Sequence, residues 1–281
     1  MSFNKIKSYA KINLALNITG KTSSLHKIES IVAFVNLFDE ILIKKINSKK
    51  HNVSFSGKFS QNIGKNNTIT KLLKLLEQRK ILNYKKFQIK INKQVPIKAG
   101  LGGGSMNAAN VLKYFIKKKI IKITKKELLK ISRLIGSDVV LGLKSTNSII
   151  TSKNKIKYFS NCKKYYTLIV KPNFGCSTKD IYSKVKKFNK PIFNKPKKSM
   201  FNLNYLKEMN NSLEPIAFFK YPKLKIMKLF LESLQKSVFV RMTGSGSAIV
   251  AYFTSKERCN NAKKHFNRKY KNYWCIASKT I

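Results

Sequence analysis

The chain has 281 residues, 43% of them hydrophobic, and carries 59 Lys and Arg against 11 Asp and Glu, a formal charge of +48. This length builds a sizeable core in one large or two ordinary domains. The composition argues against a secreted, disulfide-framed or zinc-binding protein: Met1 to Asn17 mixes lysines into an alternating pattern with no signal-peptide core, and Cys162, Cys176, Cys259 and Cys275 show no paired ligand spacing. A reducing cytoplasm is the expected compartment. The positive charge is nearly all lysine, with arginine only at Arg79, Arg133, Arg241, Arg258 and Arg268, and it is spread over the whole sequence. That distribution predicts solvated faces and a salt-sensitive, sequence-indifferent attraction to polyanions. A dedicated nucleic-acid surface would concentrate charge and favour arginine for bidentate phosphate contacts.

In chain order, Ile12, Leu14, Leu16 and Ile18 share one face of a strand, and Ile41, Ile43 and Ile46 mark a second apolar segment. Asn67 or Thr68 caps a helix running to Arg79, and Phe87, Ile89 and Ile91 alternate as the next strand. The segment Pro96 to Ala109 then inserts glycines between that strand and a helix with Ala108, Ala109, Leu112, Phe115 and Ile116 at helical spacing. Glycines at a helix N-terminus admit positive φ and close approach of a ligand, and the first helical N–H groups have no partner inside the helix, so the segment favours an anion, with Ser105 expected at the N-cap. Taken alone, a short glycine run reads as well as a tight turn. It is not a P-loop, because no Lys-Ser or Lys-Thr follows the last glycine, and the acidic residue a dinucleotide fold would place about 20 positions on is hard to assign.

Further on, Thr124 and Glu127 have capping-box spacing and open a helix with Leu128, Leu129, Ile131, Leu134 and Ile135 inward, stopped by Gly136. The pattern weakens between Lys144 and Lys164, where a domain boundary is expected, giving domains over 1–150 and 160–281. The second half reads as a strand from Tyr166 to Val170, a helix start at Ser177-Thr178, a polar stretch around Lys186 to Lys198, and a helix from Pro222 to Gln235. Strands Val238 to Met242 and Ala248 to Phe253 flank Thr243-Gly244-Ser245-Gly246-Ser247, ordinary turn chemistry by itself, before a final helix and the strand Trp274 to Ala277. Each half is expected to be an α+β sandwich.

Three separated elements carry a resemblance: Tyr9-Ala10-Lys11-Ile12-Asn13-Leu14, the loop Pro96 to Ser105, and Arg241 to Ser247. In order with His26-Lys27-Ile28-Glu29-Ser30, Asp39-Glu40-Ile41, Gly136-Ser137-Asp138-Val139 and Asn211-Ser212-Leu213-Glu214-Pro215, they resemble the superfamily of galactokinase, homoserine kinase, mevalonate kinase and phosphomevalonate kinase, nearly end to end. The Ala-Lys-Ile-Asn-Leu opening points, within it, to the branch acting on cytidine-diphosphate methylerythritol in non-mevalonate isoprenoid synthesis.

The resemblance implies a two-domain α+β fold, an N-terminal ribosomal-protein-S5-like domain and a C-terminal ferredoxin-like domain with the active site between them. It also implies phosphoryl transfer from ATP, with Mg2+, to the 2-hydroxyl of that small molecule, by a monomer or homodimer with no specific nucleic-acid or membrane partner. Asp138 matches the catalytic aspartate and Lys11 its partner lysine, whose charge would keep that carboxylate ionised. Pro96, Ala99, Gly100, Leu101, Gly102, Gly103, Gly104, Ser105 and Asn107 match the ATP loop; no protein metal-ligand set is implied. His26 matches the residue that recognises cytosine, Tyr182 offers it an aromatic face, Asn13 supports the substrate, and Thr243, Gly244, Ser245 and Gly246 cover the site. The chain departs from the pattern at Leu25, where an aromatic that stacks on cytosine is usual, and at Met106-Asn107, Val140 and Ser212. The alternatives are another kinase of the superfamily and a degenerate relative that binds polyanions.

Overall fold

The computed structural model describes residues 2–23, 25–234 and 236–281. The chain divides into two compact units and crosses between them repeatedly: one holds the chain up to Ala10, Leu37–Ile97 and Gly102–Ser145, the other Lys11–Asn36, Lys98–Leu101 and Thr146–Ile281. Two long strands, β1 (Asn4–Lys21) and β2 (His26–Ile46), pair with each other and contribute residues to both units.

In the first unit, β2 runs antiparallel to β4 (Lys86–Asn92), with Ile41 opposite Ile91 and Ile43 opposite Ile89, and β3 (Asn52–Ser56) lies parallel to β4. Three helices share their core: α1 (Thr68–Gln78), α2 (Gly103–Lys117) and α3 (Lys125–Ile135), through Leu72, Leu76, Leu112, Phe115 and Ile131. Asn67 caps α1 in a reciprocal capping box with Thr70, and Thr124 caps α3 through its hydroxyl on Glu127 N, as the sequence predicts. The inward face of α3 is narrower than expected. Ile131 and Ile135 are buried, but Leu134 is 47% exposed, because it stands one residue round the helix from Ile135. Gly136 ends the helix in extended backbone, φ 177°.

In the second unit, β2 pairs through Ser30–Val32 with β5 (Ser148–Ile150), which pairs with β6 (Ile156–Tyr158). This hairpin occupies the stretch whose pattern weakens, since three-residue strands are too short to show a period. A four-stranded antiparallel sheet follows, in the order β10 (Trp274–Lys279), β7 (Tyr166–Lys171), β9 (Ile249–Phe253), β8 (Phe239–Met242). After α4 (Val139–Gly142) in the first unit come α5 (Thr178–Ser183), α6 (Leu203–Glu208), α7 (Glu214–Lys220), α8 (Pro222–Ser233) and α9 (Lys256–Lys269) in the second. Its core joins Leu168, Val170, Leu224, Met227, Leu231, Val250's neighbour Ile249, Ala262 and Phe266. Gln235, where the sequence ends α8, lies outside the described residues. No helix among the described residues is long and apolar enough to cross a membrane.

Candidate active site

The glycine segment joins β4 to α2. Gly102, at φ 68°, takes the N-cap, so Ser105 is the third helical residue and not the cap; Gly103 and Gly104 are already helical. Met106 N donates to Gly102 O at 2.9 Å and closes the first turn. The amides of Gly103, Gly104 and Ser105 therefore fall in the turn where a helix supplies no acceptor, and no acidic side chain stands there. A Cβ at Gly136 would lie 3.5 Å from Ser105 Oγ, which puts the turn leading to Asp138 beside the first turn of α2. Asp138 itself is half-buried and begins α4.

Asp39, fully buried on β2, fixes the entry to this segment. Its Oδ1 accepts Gln94 N and Val95 N, both at 2.8 Å; its Oδ2 accepts Asn107 Nδ2 at 2.8 Å and pairs with the buried Lys93 ammonium. Asn107, expected at the ATP loop, is buried with its amide committed to Asp39, and its Oδ1 has no hydrogen-bond partner. Neither Asp39 nor Lys93 is given a role by the sequence; the available signal is that Asp39 lies in the Asp39-Glu40-Ile41 segment that carries the resemblance.

The second unit holds the residues 98–101 against the Thr243 to Ser247 turn. Ser247 N donates to Lys98 O (3.3 Å), Ala248 N to Ala99 O (3.2 Å), and Thr243 Oγ1 to Gly100 O (3.1 Å). Gly100 has φ +72°, and a Cβ there would lie 1.9 Å from Thr243 O, so only glycine fits. Lys11 N donates to Leu101 O at 3.1 Å. The Lys11 ammonium, almost fully buried, donates to Asn13 Oδ1 at 2.7 Å; Asn13 Nδ2 donates to Ser30 Oγ at 2.7 Å, and Asn13 N to Thr243 Oγ1 at 3.0 Å. The structure thus brings together Lys11, Asn13, Gly100, Thr243 and Gly244, and Thr178 Oγ1 meets Ser245 Oγ at 2.9 Å.

Two buried residues pin the 242–244 backbone. Asn211 Nδ2 donates to Met242 O and Gly244 O, each at 2.8 Å, and Glu214 Oε1 accepts Met242 N at 2.7 Å while its Oε2 pairs with Lys228 at 2.8 Å. Arg241, nearly buried, donates to the carbonyls of Leu14, Leu206 and Met209. The Asn-Ser-Leu-Glu-Pro element thus supports the turn, and its second residue, Ser212, leaves that support to Asn211 and Glu214.

His26 stands apart from this network, its ring 5.2 Å from Tyr182. Burial and the nearby Lys21 charge push its pKa below the usual imidazole value, so the ring is neutral at neutral pH. Its Nε2 is covered and has no hydrogen-bond partner.

A non-Walker glycine turn opening a helix, on an α+β fold, fits the GHMP class of small-molecule kinases, and the comparisons with known proteins show that class. Residues 67–150 match the GHMP kinases N terminal domain. Over 99% of this chain and all of theirs, the fold is similar to a crystal structure of 4-(cytidine 5'-diphospho)-2C-methyl-D-erythritol kinase (TM-score 0.80, 22% identity); over all of this chain and 95% of the other it is similar to homoserine kinase from Cytophaga hutchinsonii (TM-score 0.72, 16% identity). The sequence is 57% identical, over 281 residues and the full length of both chains, to 4-diphosphocytidyl-2-C-methyl-D-erythritol kinase of Pelagibacter ubique, and 33% identical to that of Clostridium tetani over 99% of this chain and all of the relative. The chain belongs to the 4-diphosphocytidyl-2-C-methyl-D-erythritol kinase family.

Proposed function

We infer that the protein is an ATP-dependent kinase that phosphorylates the 2-hydroxyl of 4-diphosphocytidyl-2-C-methyl-D-erythritol in non-mevalonate isoprenoid synthesis. The full-length identity of 57% to a kinase of that name carries this reading. The α2 first turn, whose amides have no acceptor inside the helix and which carries no acid, is suited to receive the ATP phosphates.

The residue roles are proposals that rest on the family resemblance, with the geometry beside it. Asp138 accepts the proton of the attacking hydroxyl, since an alcohol is a poor nucleophile without a base. Lys11, held in place by Asn13, offsets negative charge near the transferring phosphoryl group. Thr243 and Gly244 position substrate, and His26 reads the cytosine edge: a neutral imidazole offers one donor and one acceptor.

Among the described residues no group of three or more His, Cys, Asp or Glu could hold a metal. A Mg2+ ion would be held mostly by nucleotide phosphates and water, with the Ser105 hydroxyl beside the α2 amides as the protein oxygen suited to it. When bound, the ion shields charge on the β and γ oxygens. The enzyme is expected to work in the cytoplasm.

The test is ADP release with Mg-ATP, comparing the cytidine substrate with homoserine and mevalonate. Turnover of the cytidine substrate alone is expected, and Asp138→Asn should lower kcat by roughly 10²- to 10⁴-fold. Undiminished kcat in that variant would remove the base role, and turnover of homoserine or mevalonate instead would reassign the pocket.

A further inference from the structure

Leu25, next to His26, is 69% exposed and offers a base no aromatic face. A second ring nevertheless stands at His26. Phe188, from the lysine-rich irregular segment after α5, has its ring centroid 6.4 Å from the imidazole, tilted by 49°, while Tyr182 is tilted by 48° at 5.2 Å. The imidazole is the common neighbour of both rings, and Phe188 is 46% exposed.

An exposed phenylalanine on an unattached loop would need no explanation, but the backbone that carries this one is fastened. Glu29, fully buried on β2 beside His26 in sequence, accepts Ile192 N (2.8 Å), Phe193 N (3.1 Å), Ser152 N (3.2 Å) and Asn17 Nδ2 (3.2 Å). A carboxylate buried at that cost is kept by its donors. Asn189, the residue after Phe188, donates its N–H to Ile18 O and its Nδ2 to Asn17 Oδ1, each at 2.8 Å, and Asn17 Nδ2 reaches Lys190 O at 3.1 Å. Asn17, Ile18 and Glu29 thus lock residues 189–193 to β1 and β2, and the lock presents the Phe188 ring to His26 instead of leaving it to find other apolar surface.

We propose that Phe188 is a specificity-determining residue of this enzyme, an aromatic face for the substrate's nucleobase at the His26–Tyr182 cluster, standing in where Leu25 cannot stack. The inference rests on the cytidine-substrate reading above. A planar base has two π-faces and an edge with donors and acceptors, and the cluster supplies aromatic faces around a neutral imidazole. Glu29 acts through the segment it fastens and is a positioning residue.

The experiment compares Phe188→Ala and Phe188→Tyr with the natural enzyme by steady-state kinetics in each substrate and by calorimetric titration with CDP. Phe188→Ala should raise KM for the cytidine substrate and Kd for CDP together, by roughly 5- to 100-fold on the scale of a lost base stack, with KM for ATP and kcat within about twofold; Phe188→Tyr should restore both, and so should Leu25→Tyr added to Phe188→Ala. An unchanged CDP affinity in Phe188→Ala, a parallel rise in KM for ATP, or a Phe188→Tyr variant as weak as the alanine would overturn the assignment. The CDP titration separates this failure from failure of the kinase reading: a natural protein that turns over no cytidine substrate yet loses CDP binding in Phe188→Ala keeps the base site and forfeits only the reaction.

Discussion

The two glycine-containing turns of the molecule are held by the same kind of device, a buried carboxylate on a backbone N–H with a lysine and an asparagine nearby, but at different depths. Asp39 takes two backbone amides at the start of the α2 segment and is sealed with Lys93, whose side chain is 3% exposed. Glu214 takes one amide, that of Met242, and its Lys228 partner is 21% exposed. The asparagines divide differently too: Asn107 spends its amide on the carboxylate, Asn211 on the backbone carbonyls of the turn. A sealed ion pair makes its turn an all-or-none feature, because removing one charge strands the other in low dielectric, whereas a partner that reaches water can be rehydrated.

The largest expected effect tests that contrast. Asp39→Ala leaves the Lys93 charge buried and two amides unmet, and should cost about 3–5 kcal/mol in urea unfolding; Glu214→Ala should cost less, about 1.5–3 kcal/mol for a lost charge-assisted hydrogen bond. Equal losses, or the reverse order, would break the comparison.

Next comes the turn backbone itself. Gly100→Ala places a methyl 1.9 Å from Thr243 O at φ +72° and should destabilise by about 1–3 kcal/mol while raising KM for ATP. Gly103→Ala meets Val95 Cγ1 at 3.1 Å and the Lys93 ammonium at 3.2 Å, gains helix propensity, and should stay within about 1 kcal/mol of the natural protein. Matching melting curves for the two variants would show that the 98–101 contacts with Thr243 are not what demands glycine.

The smallest effect is a pH profile at the base site. Desolvation and Lys21 hold the His26 pKa below 6.5, so the neutral ring persists from pH 8.5 down to that value. KM for the cytidine substrate should be flat from pH 7 to 8.5 and rise only below pH 6.5, as protonation converts the ring acceptor to a donor; the folded state should weaken over the same acid range, because the unfolded chain binds that proton more readily. His26→Gln should flatten this rise, and an unchanged acid limb in that variant would place the titration elsewhere.

Local signals were the legible ones. The caps at Asn67, Thr124 and Ser177 and the strand around Phe87, Ile89 and Ile91 follow from side-chain chemistry acting within a few residues, and the structure shows each. The short helices α6 and α7 and the β5–β6 hairpin span too few residues to show a period; in β1 the alternation of Ile12, Leu14, Leu16 and Ile18 was legible, but not that Lys11 to Ile18 is buried on both faces. Of the proposed site residues, the glycine segment, Lys11 and Asp138 could be put forward from motifs in the sequence. The pairing of Asp39 with Lys93 and the place of Phe188 could not: an acid and a lysine separated by 54 positions pair only because β2 lies next to β4, and Phe188 sits among lysines with nothing in the sequence to tie it to His26.

What the sequence carried by itself was the family resemblance, with the reaction class it implies, and the order of the longer elements, because glycine motifs, caps and strand alternation are written in contiguous residues. Tertiary structure alone decided which residues share a unit, why Gly100 must be glycine, where Asn107 spends its amide, and which ring stands beside His26. These depend on atoms brought together from distant positions, and close packing and low dielectric give such contacts their energy only once the chain has folded.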